Sequence, residues 1–280
     1  MSMTDAPALA ITGATGAVGR LTSEELARGG TPLRLLARAP ERAPQLPDAV
    51  VMQSSYGDRD QAALEGVSTL LMVSAGEEEG WLQQQLDFVA AAAAAGVEHI
   101  VYTSFQTAAT DAVFTYARDH YATEEAIRAS GMAWTMLRDS FYLDFLALLP
   151  DADGLLRAPA GQGRVAAVAK LDVARSAAAV LRDPAAHAGR IYDMTGPEAL
   201  SFAEIVETLS SATGRRIRYV DETVDEARSS RVHFDAPAWQ IDGWITTYTA
   251  IAEGRFARVS DDVELLTGRR PISLRELLVH

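Results

Sequence analysis

The sequence predicts an α/β fold built on a doubly wound parallel sheet, with a smaller, mostly helical substrate lobe. Three observations predict it. A glycine-rich corner stands about ten residues in, short apolar runs alternate with helical segments through residue 138, and that alternation loosens after Phe141. The corner reads Ile11-Thr12-Gly13-Ala14-Thr15-Gly16-Ala17-Val18-Gly19-Arg20. It follows the apolar run Ala8-Leu9-Ala10-Ile11 and opens into a helical segment at 21–27. Glycines let the backbone approach a pyrophosphate, and the free N–H groups of the first helical turn point at it. The spacing is GxxGxxG, and its meaning comes from the strand before it and the helix after it. This is a Rossmann-like, nucleotide-binding corner.

The remaining elements follow in order. Residues 33–37 read as the second strand, and Arg38 stands at its end, about 20 residues past the glycines, where an acidic residue would favour a ribose 2′-hydroxyl. A guanidinium there suits a 2′-phosphate, with Arg42 as a second contact, so the expected cofactor is NADP(H). Strands are expected at 50–53, 69–73, 99–103 and 133–137. Helices are expected at 80–95, closed by Gly96 at C′, and at 115–130. The alanines 90–95 have high helix propensity and little bulk, so this helix should pack closely on the sheet. Beyond Phe141 come strand-like pieces at 155–157 and 165–168, then a helix at 172–181 with Asp172 as N-cap. A strand at 190–194 should return to the main sheet, and helices dominate from Ser201. The expected organisation is a nucleotide-binding domain over 1–150, joined by the returning strand, and an interleaved substrate lobe over 151–280.

Composition narrows the function. A formal net charge of −13 opposes nucleic-acid binding, which needs a basic surface. The absence of cysteine excludes disulfides, thiolate metal sites and a cysteine nucleophile, and no metal site is expected. The apolar run at 88–97 falls far short of the roughly 20 residues that span a bilayer, and no secretory signal is read, so the expectation is a cytoplasmic protein without membrane attachment. Of 25 Lys plus Arg, one is lysine, Lys170, which is expected on a solvated face.

On these residues the chain resembles the atypical short-chain dehydrogenase/reductase group. More narrowly, it is similar to the NmrA-like branch that holds NADPH-dependent quinone oxidoreductases and triphenylmethane-reductase-like enzymes. The resemblance spans nearly the whole length. It is carried by the glycine corner, Arg38, Ala95-Gly96-Val97-Glu98-His99-Ile100-Val101-Tyr102-Thr103-Ser104, His120-Tyr121-Ala122-Thr123-Glu124, Leu137-Arg138-Asp139-Ser140-Phe141-Tyr142, and a late Asp261-Asp262-Val263-Glu264-Leu265-Leu266-Thr267-Gly268. It implies cofactor contacts from Thr12, Gly13, Thr15, Gly16, Ala17, Val18 and Gly19 at the phosphates and Arg38 at the 2′-phosphate. Ser74, Ala75, Thr103, Ser104 and Phe105 would line the ribose and nicotinamide. Two departures stand out. Relatives often show Asp-Tyr-x-Asp where this chain has Ser55-Tyr56-Gly57-Asp58, and Asn where it has Asp139.

Short-chain dehydrogenases use a Tyr-x-x-x-Lys pair on the helix after the fifth strand. Here that helix carries Tyr116 and, four residues on, His120. The two share a helical face and are the candidate catalytic residues: an imidazole titrating near 6.5 can donate a proton at neutral pH, and the alternative is that His120 only packs or hydrogen-bonds beneath the cofactor. A quinone or similarly conjugated acceptor delocalises the incoming charge and relieves the need for a strong acid, so the expected substrate is a small aromatic or quinone-like molecule. Phe141, Tyr142 and Phe145, at helical spacing, and Trp244 are the expected substrate contacts. The segment 239–251 reads as a helix over the site mouth and a contact surface for a homodimer. The competing reading is a non-catalytic NAD(P)-binding redox sensor of the NmrA type.

Overall fold

The computed structural model describes residues 7–57, 62–74, 76 and 78–279. Its strands are β1 (Leu9–Ile11), β2 (Leu33–Ala37), β3 (Ala49–Gln53), β4 (Thr69–Met72), β5 (His99–Phe105), β6 (Ala133–Asp139), β7 (Leu155–Ala158), β8 (Arg164–Val165), β9 (Arg190–Met194), β10 (Leu200–Ser201) and β11 (Arg218–Asp221). The helices are α1 (Ala17–Arg28), α2 (Trp81–Ala94), α3 (Thr115–Ala129), α4 (Leu143–Leu146), α5 (Lys170–Arg182), α6 (Phe202–Thr213), α7 (Val224–Arg231), α8 (Ala238–Ala252), α9 (Asp262–Thr267) and α10 (Leu274–Leu277). Among these described residues, no helix is long and apolar enough to cross a membrane.

The main sheet runs β3-β2-β1-β4-β5-β6-β9. The pairs β2–β3, β1–β2, β1–β4 and β4–β5 are all parallel. Chain order reverses on either side of β1, so the ends of β1 and β4 form the topological switch point at which such sheets bind ligands. The strand read at 190–194 does return to this sheet, beside β6.

Periodicity explains the packing. In α2 the buried residues are Trp81, Gln85, Phe88, Val89 and Ala92, a stripe at helical spacing. Phe88, Val89 and Ala92 join a core with Ile100 and Tyr102 of β5 and Met136 of β6. Gly96, at φ 83°, turns the chain out of α2 as its C′ residue. One finding ran against pattern. Arg34 lies fully buried within β2, where its Nη1 donates to the carbonyls of Ala63 (2.9 Å) and Glu65 (2.7 Å).

The chain divides into two compact units. One comprises residues up to Phe105, Asp119–Arg138 and Val173–Tyr192; the other comprises Gln106–Arg118, Asp139–Asp172 and the chain from Asp193 onward. The second unit holds the parallel pair β7–β11 and the antiparallel pair β8–β10. Capping boxes start α6 (Ser201 with Glu204), α7 (Thr223 with Glu226) and α10 (Ser273 with Glu276).

Two local expectations are corrected. Asp172 is not the N-cap of α5, which begins two residues earlier; its Oδ2 instead accepts from the backbone N–H of Ile272 at 2.6 Å. The aromatic residues 141, 142 and 145 do not share one helical stripe, because α4 spans only Leu143–Leu146 and the chain at Tyr142 is extended.

Candidate active site

The glycine corner is built by close approach. Gly13 adopts φ +61°, and a Cβ there would lie 3.1 Å from that of Val73. A Cβ on Gly19 would lie 2.4 Å from the Gly13 carbonyl oxygen and 2.8 Å from that of Thr12, so α1 starts directly against the end of β1. The N–H of Gly16 donates to the Gly13 carbonyl at 2.8 Å and closes the turn. Gly16 caps α1 without a side chain, while Gly13, Gly16 and Ala17 are exposed, Thr15 is half-buried and Val18 turns inward. Backbone N–H groups at an uncapped helix start, with no Cβ in the way, fit a pyrophosphate.

Thr12 braces this corner. Its Oγ1 accepts from the N–H of Val73 at 2.8 Å and hydrogen-bonds the Tyr56 hydroxyl, which donates to the Val73 carbonyl. Burial pushes the Tyr56 phenol up. Tyr56 also packs on Phe88 at 4.5 Å between ring centroids. Its bracing role was not legible in the sequence, where Ser55-Tyr56-Gly57-Asp58 stands only as a departure from the Asp-Tyr-x-Asp of relatives. Asp58 of that motif and the candidate Ala75 lie outside the described residues.

Arg38 follows β2 with its side chain 75% exposed, at 3.8 Å from Glu78, a separation too long and too wet to hold it. Arg20, which sequence reading passed over, donates from Nη2 to the Arg42 carbonyl at 3.1 Å and so joins the arginines at this strand end. The N–H of Ser74 donates to Thr103 Oγ1 at 2.8 Å, linking the segments that follow β4 with β5. Ser104 commits its hydroxyl to Glu124 at 2.6 Å. Glu124 is fully buried and accepts from Arg138 twice (2.8 and 2.7 Å) and from Arg128 (2.9 Å). Burial pushes its carboxyl up, but hydrogen bonds from Arg138 and Ser104 outweigh that and hold it below the usual carboxylate range.

His120 is enclosed by aromatic rings. Its ring is buried beside Trp81, Tyr102 and Phe105 (5.4, 5.9 and 5.9 Å between centroids), and burial holds its pKa at about 4. At neutral pH it carries no ionisable extra proton. The neighbouring bonds also settle its tautomer. Gln85 donates from Nε2 to Thr123 (3.4 Å), so its Oε1 accepts the Tyr102 proton (3.2 Å). The Tyr102 oxygen then accepts from His120 Nδ1–H at 2.9 Å, which leaves Nε2 an acceptor. Tyr116 is held separately. Its hydroxyl donates to the Gln240 carbonyl at 3.4 Å, and its ring fills the space left by the missing side chain of Gly243.

A stability prediction follows from His120. The folded pKa lies below the ordinary 6.5, so an unfolded chain takes up the proton first as pH falls. The stability present above 6.5 is therefore lost toward 4. Urea unfolding should show wild type losing about 2 kcal/mol more than His120→Gln between pH 7 and pH 5. Equal losses would refute the burial argument.

In the second unit the expected substrate aromatics fall into two groups. Phe141 meets Phe145 (5.6 Å) and Tyr248 (6.4 Å), whereas Trp244 pairs with Phe234 (5.8 Å). Tyr142 donates its hydroxyl to Asp139 Oδ2 at 2.6 Å. Lys170 is half-buried, with its Nζ over the Tyr142 ring, 5.3 Å from the centroid. Burial pushes the Asp139 carboxyl up to about 8. Among the described residues, no three His, Cys, Asp or Glu side chains converge as a metal ion requires.

A switch-point sheet with this glycine corner defines a dinucleotide-binding α/β protein. The chain belongs to the NmrA-like family, whose model matches residues 6–234. It is 37% identical over 266 residues to the (4-alkanoyl-5-oxo-2,5-dihydrofuran-3-yl)methyl phosphate reductase of Streptomyces griseus, covering 92% of each chain. Quinone oxidoreductase 2 of Escherichia coli is 30% identical over 281 residues, covering 97% of this chain and 98% of that one. The crystal structure of the Escherichia coli NADPH-dependent quinone oxidoreductase complexed with NADPH matches with a TM-score of 0.89 at 28% identity, over 97% and 99% of the two chains. The Citrobacter sp. triphenylmethane reductase complexed with NADP(H) matches with a TM-score of 0.83 at 29% identity, over the same shares.

Proposed function

We propose that this chain is an NADPH-dependent reductase that passes hydride to a conjugated acceptor, a quinone or an enone. The observation that carries this reading is the corner itself: an uncapped α1 start, three glycines at which a Cβ would crowd Val73 or the Gly13 and Thr12 backbone, and the exposed Arg38 at the end of β2. Thr12, Gly13, Thr15, Gly16, Ala17, Val18 and Gly19 would hold the pyrophosphate, and Arg38, with Arg20 and Arg42 nearby, the 2′-phosphate. Ser74, Thr103 and Phe105 would border the ribose and nicotinamide. Bound there, the cofactor supplies hydride.

The relatives support the cofactor and the acceptor class. Two of the similar structures were solved with NADPH or NADP(H). The Streptomyces griseus reductase is named for a ring alkene conjugated with two carbonyls, and the Escherichia coli relative for quinones. Such acceptors spread the added charge, which suits a site whose histidine is neutral.

The test is oxidation of NADPH, with NADH in parallel, against quinones, enones and simple ketones. Turnover of a quinone or enone with NADPH preferred is the expected result. Tight NADPH binding without consumption across the panel would favour the sensor reading instead. Arg38→Glu should weaken NADPH binding by roughly tenfold to a hundredfold and shift preference toward NADH, since it replaces a charge-assisted contact with repulsion. Unchanged NADPH affinity in that variant would mean the 2′-phosphate is held elsewhere.

A further inference from the structure

The polar side chains around the carboxyl end of β5 are mostly occupied with one another. Thr103 Oγ1 accepts from the Ser74 N–H (2.8 Å) and donates to Ser74 Oγ (3.4 Å), while the Ser104 hydroxyl donates to Glu124 (2.6 Å). A lone pair is left over on His120. We propose that His120 Nε2 accepts a hydrogen bond from the nicotinamide riboside half of the bound cofactor and so fixes how that half lies against β5. The proposal rests on the dinucleotide-binding reading above, and it gives His120 a binding role in place of a proton-donating one.

The bonds beneath the ring decide which nitrogen carries the proton. Thr123 donates its hydroxyl to the Asp119 carbonyl (3.0 Å), so toward Gln85 it can only accept, and Gln85 offers Nε2 to it (3.4 Å). Gln85 Oε1 then takes the Tyr102 proton (3.2 Å), and the Tyr102 oxygen takes the proton on His120 Nδ1 (2.9 Å). This fixes Nδ1–H and leaves Nε2 bare. Gln85, Tyr102 and Thr123 are wholly shut from solvent, whereas the His120 residue keeps 8% of its surface open. Among the described residues, the Tyr102 hydroxyl is the one hydrogen-bond partner of this ring, so Nε2 has none.

The surroundings of the ring say what would meet that lone pair. Phe105, the last residue of β5, stacks on it at 5.9 Å with 30° between planes, and Trp81, the first residue of α2, meets it edge-on at 5.4 Å. His120, these aromatics and the whole glycine corner belong to the first compact unit. In a sheet of this kind a dinucleotide held at the corner lies across the carboxyl ends of the strands. Its nicotinamide half carries two kinds of hydrogen-bond donor, the carboxamide N–H groups and the ribose hydroxyls, and a bare imidazole nitrogen can take either. An acceptor so far buried costs free energy while it stays unpaired, so a donor that reaches it is held more tightly. Burial keeps the ring uncharged at neutral pH, so the lone pair is present where the cofactor binds.

The experiment reads binding, not turnover. Calorimetric titrations compare wild type, His120→Phe and His120→Gln with three nucleotides: NADPH, its 3-acetylpyridine analogue, which keeps the ribose hydroxyls but lacks the carboxamide N–H, and 2′,5′-ADP, which lacks the nicotinamide half altogether. His120→Phe keeps a ring among Trp81, Tyr102 and Phe105, and His120→Gln keeps a side-chain acceptor. His120→Phe should weaken NADPH binding by about threefold to tenfold and leave 2′,5′-ADP unchanged, with partial recovery in His120→Gln. With a ribose hydroxyl as donor, the analogue loses as much affinity in His120→Phe as NADPH does. With the carboxamide as donor, it binds both proteins alike. Long-range proton–nitrogen NMR should show His120 with a protonated Nδ1 and a bare Nε2. The Nε2 resonance, assigned by its absence in His120→Gln, should move upfield with NADP+ but not with 2′,5′-ADP. Unchanged NADPH affinity in a folded His120→Phe, an equal loss for 2′,5′-ADP, a protonated Nε2, or an Nε2 resonance unmoved by bound NADP+ overturns the proposal alone. A wild type that binds none of the three nucleotides overturns the dinucleotide reading and this contact with it.

Discussion

Replacing Glu124 with alanine should lower unfolding stability by about 3–5 kcal/mol, the usual cost of breaking a buried ion pair from one side. Glu124 is fully buried, while the Arg138 and Arg128 side chains that converge on it are only 19% and 26% exposed. Deleting the carboxylate strips two guanidiniums of their shared counter-charge and takes the acceptor from the Ser104 hydroxyl. Glu124→Gln keeps the shape and one acceptor oxygen, so it should cost less. The pH dependence has a definite sign. The folded carboxyl lies below its ordinary 4.5, so its contribution is full above that value and is lost as pH falls through the folded one. Urea midpoints at pH 7 for the two variants check the first part. A loss under about 1 kcal/mol for Glu124→Ala would put this pair among weak surface bridges.

Gly19→Ala should damage the cofactor corner directly. The new methyl would meet the Gly13 carbonyl oxygen at 2.4 Å, the Gly13 carbonyl carbon at 2.6 Å and the Thr12 oxygen at 2.8 Å. All three are backbone atoms, so no side chain can turn away, and α1 must move off the end of β1. Overpacking of this kind costs about 1–3 kcal/mol. The larger effect is on binding. If the displaced helix start loses two charge-assisted hydrogen bonds to the pyrophosphate, each worth about 1.5 kcal/mol, the Kd for NADPH rises by roughly a hundredfold. A fluorescence titration reads this. Undiminished affinity in a folded Gly19→Ala protein would show that the pyrophosphate does not depend on this helix start.

The legible part of this protein was local. The run Ala8-Leu9-Ala10-Ile11, the three spaced glycines and the helix after them identify the corner because strand, turn and capping preferences act over a few residues. The second strand falls at the bounds expected from its apolar run, and α2 and the strand at 190–194 lie where local pattern put them, while the sheet that β9 joins is a tertiary fact. Arg34 was not legible as a buried group, since nothing in β2 announces the carbonyls of Ala63 and Glu65 that receive it.

The sequence by itself determined the strand–helix alternation, the dinucleotide corner, the family and a chain with one lysine and no thiol. Tertiary structure alone decided the ionisation state and the contacts of the buried polar groups. His120 titrates at about 4 because Trp81, Phe105 and Tyr102 bury it. Asp139 stays protonated because it is buried, and Lys170 meets Tyr142 because backbone bonds across 26 residues bring α5 to Asp144. The physical reason is range. Propensity and periodicity are set by neighbours along the chain, whereas desolvation and charge pairing depend on which distant residues exclude water around a group.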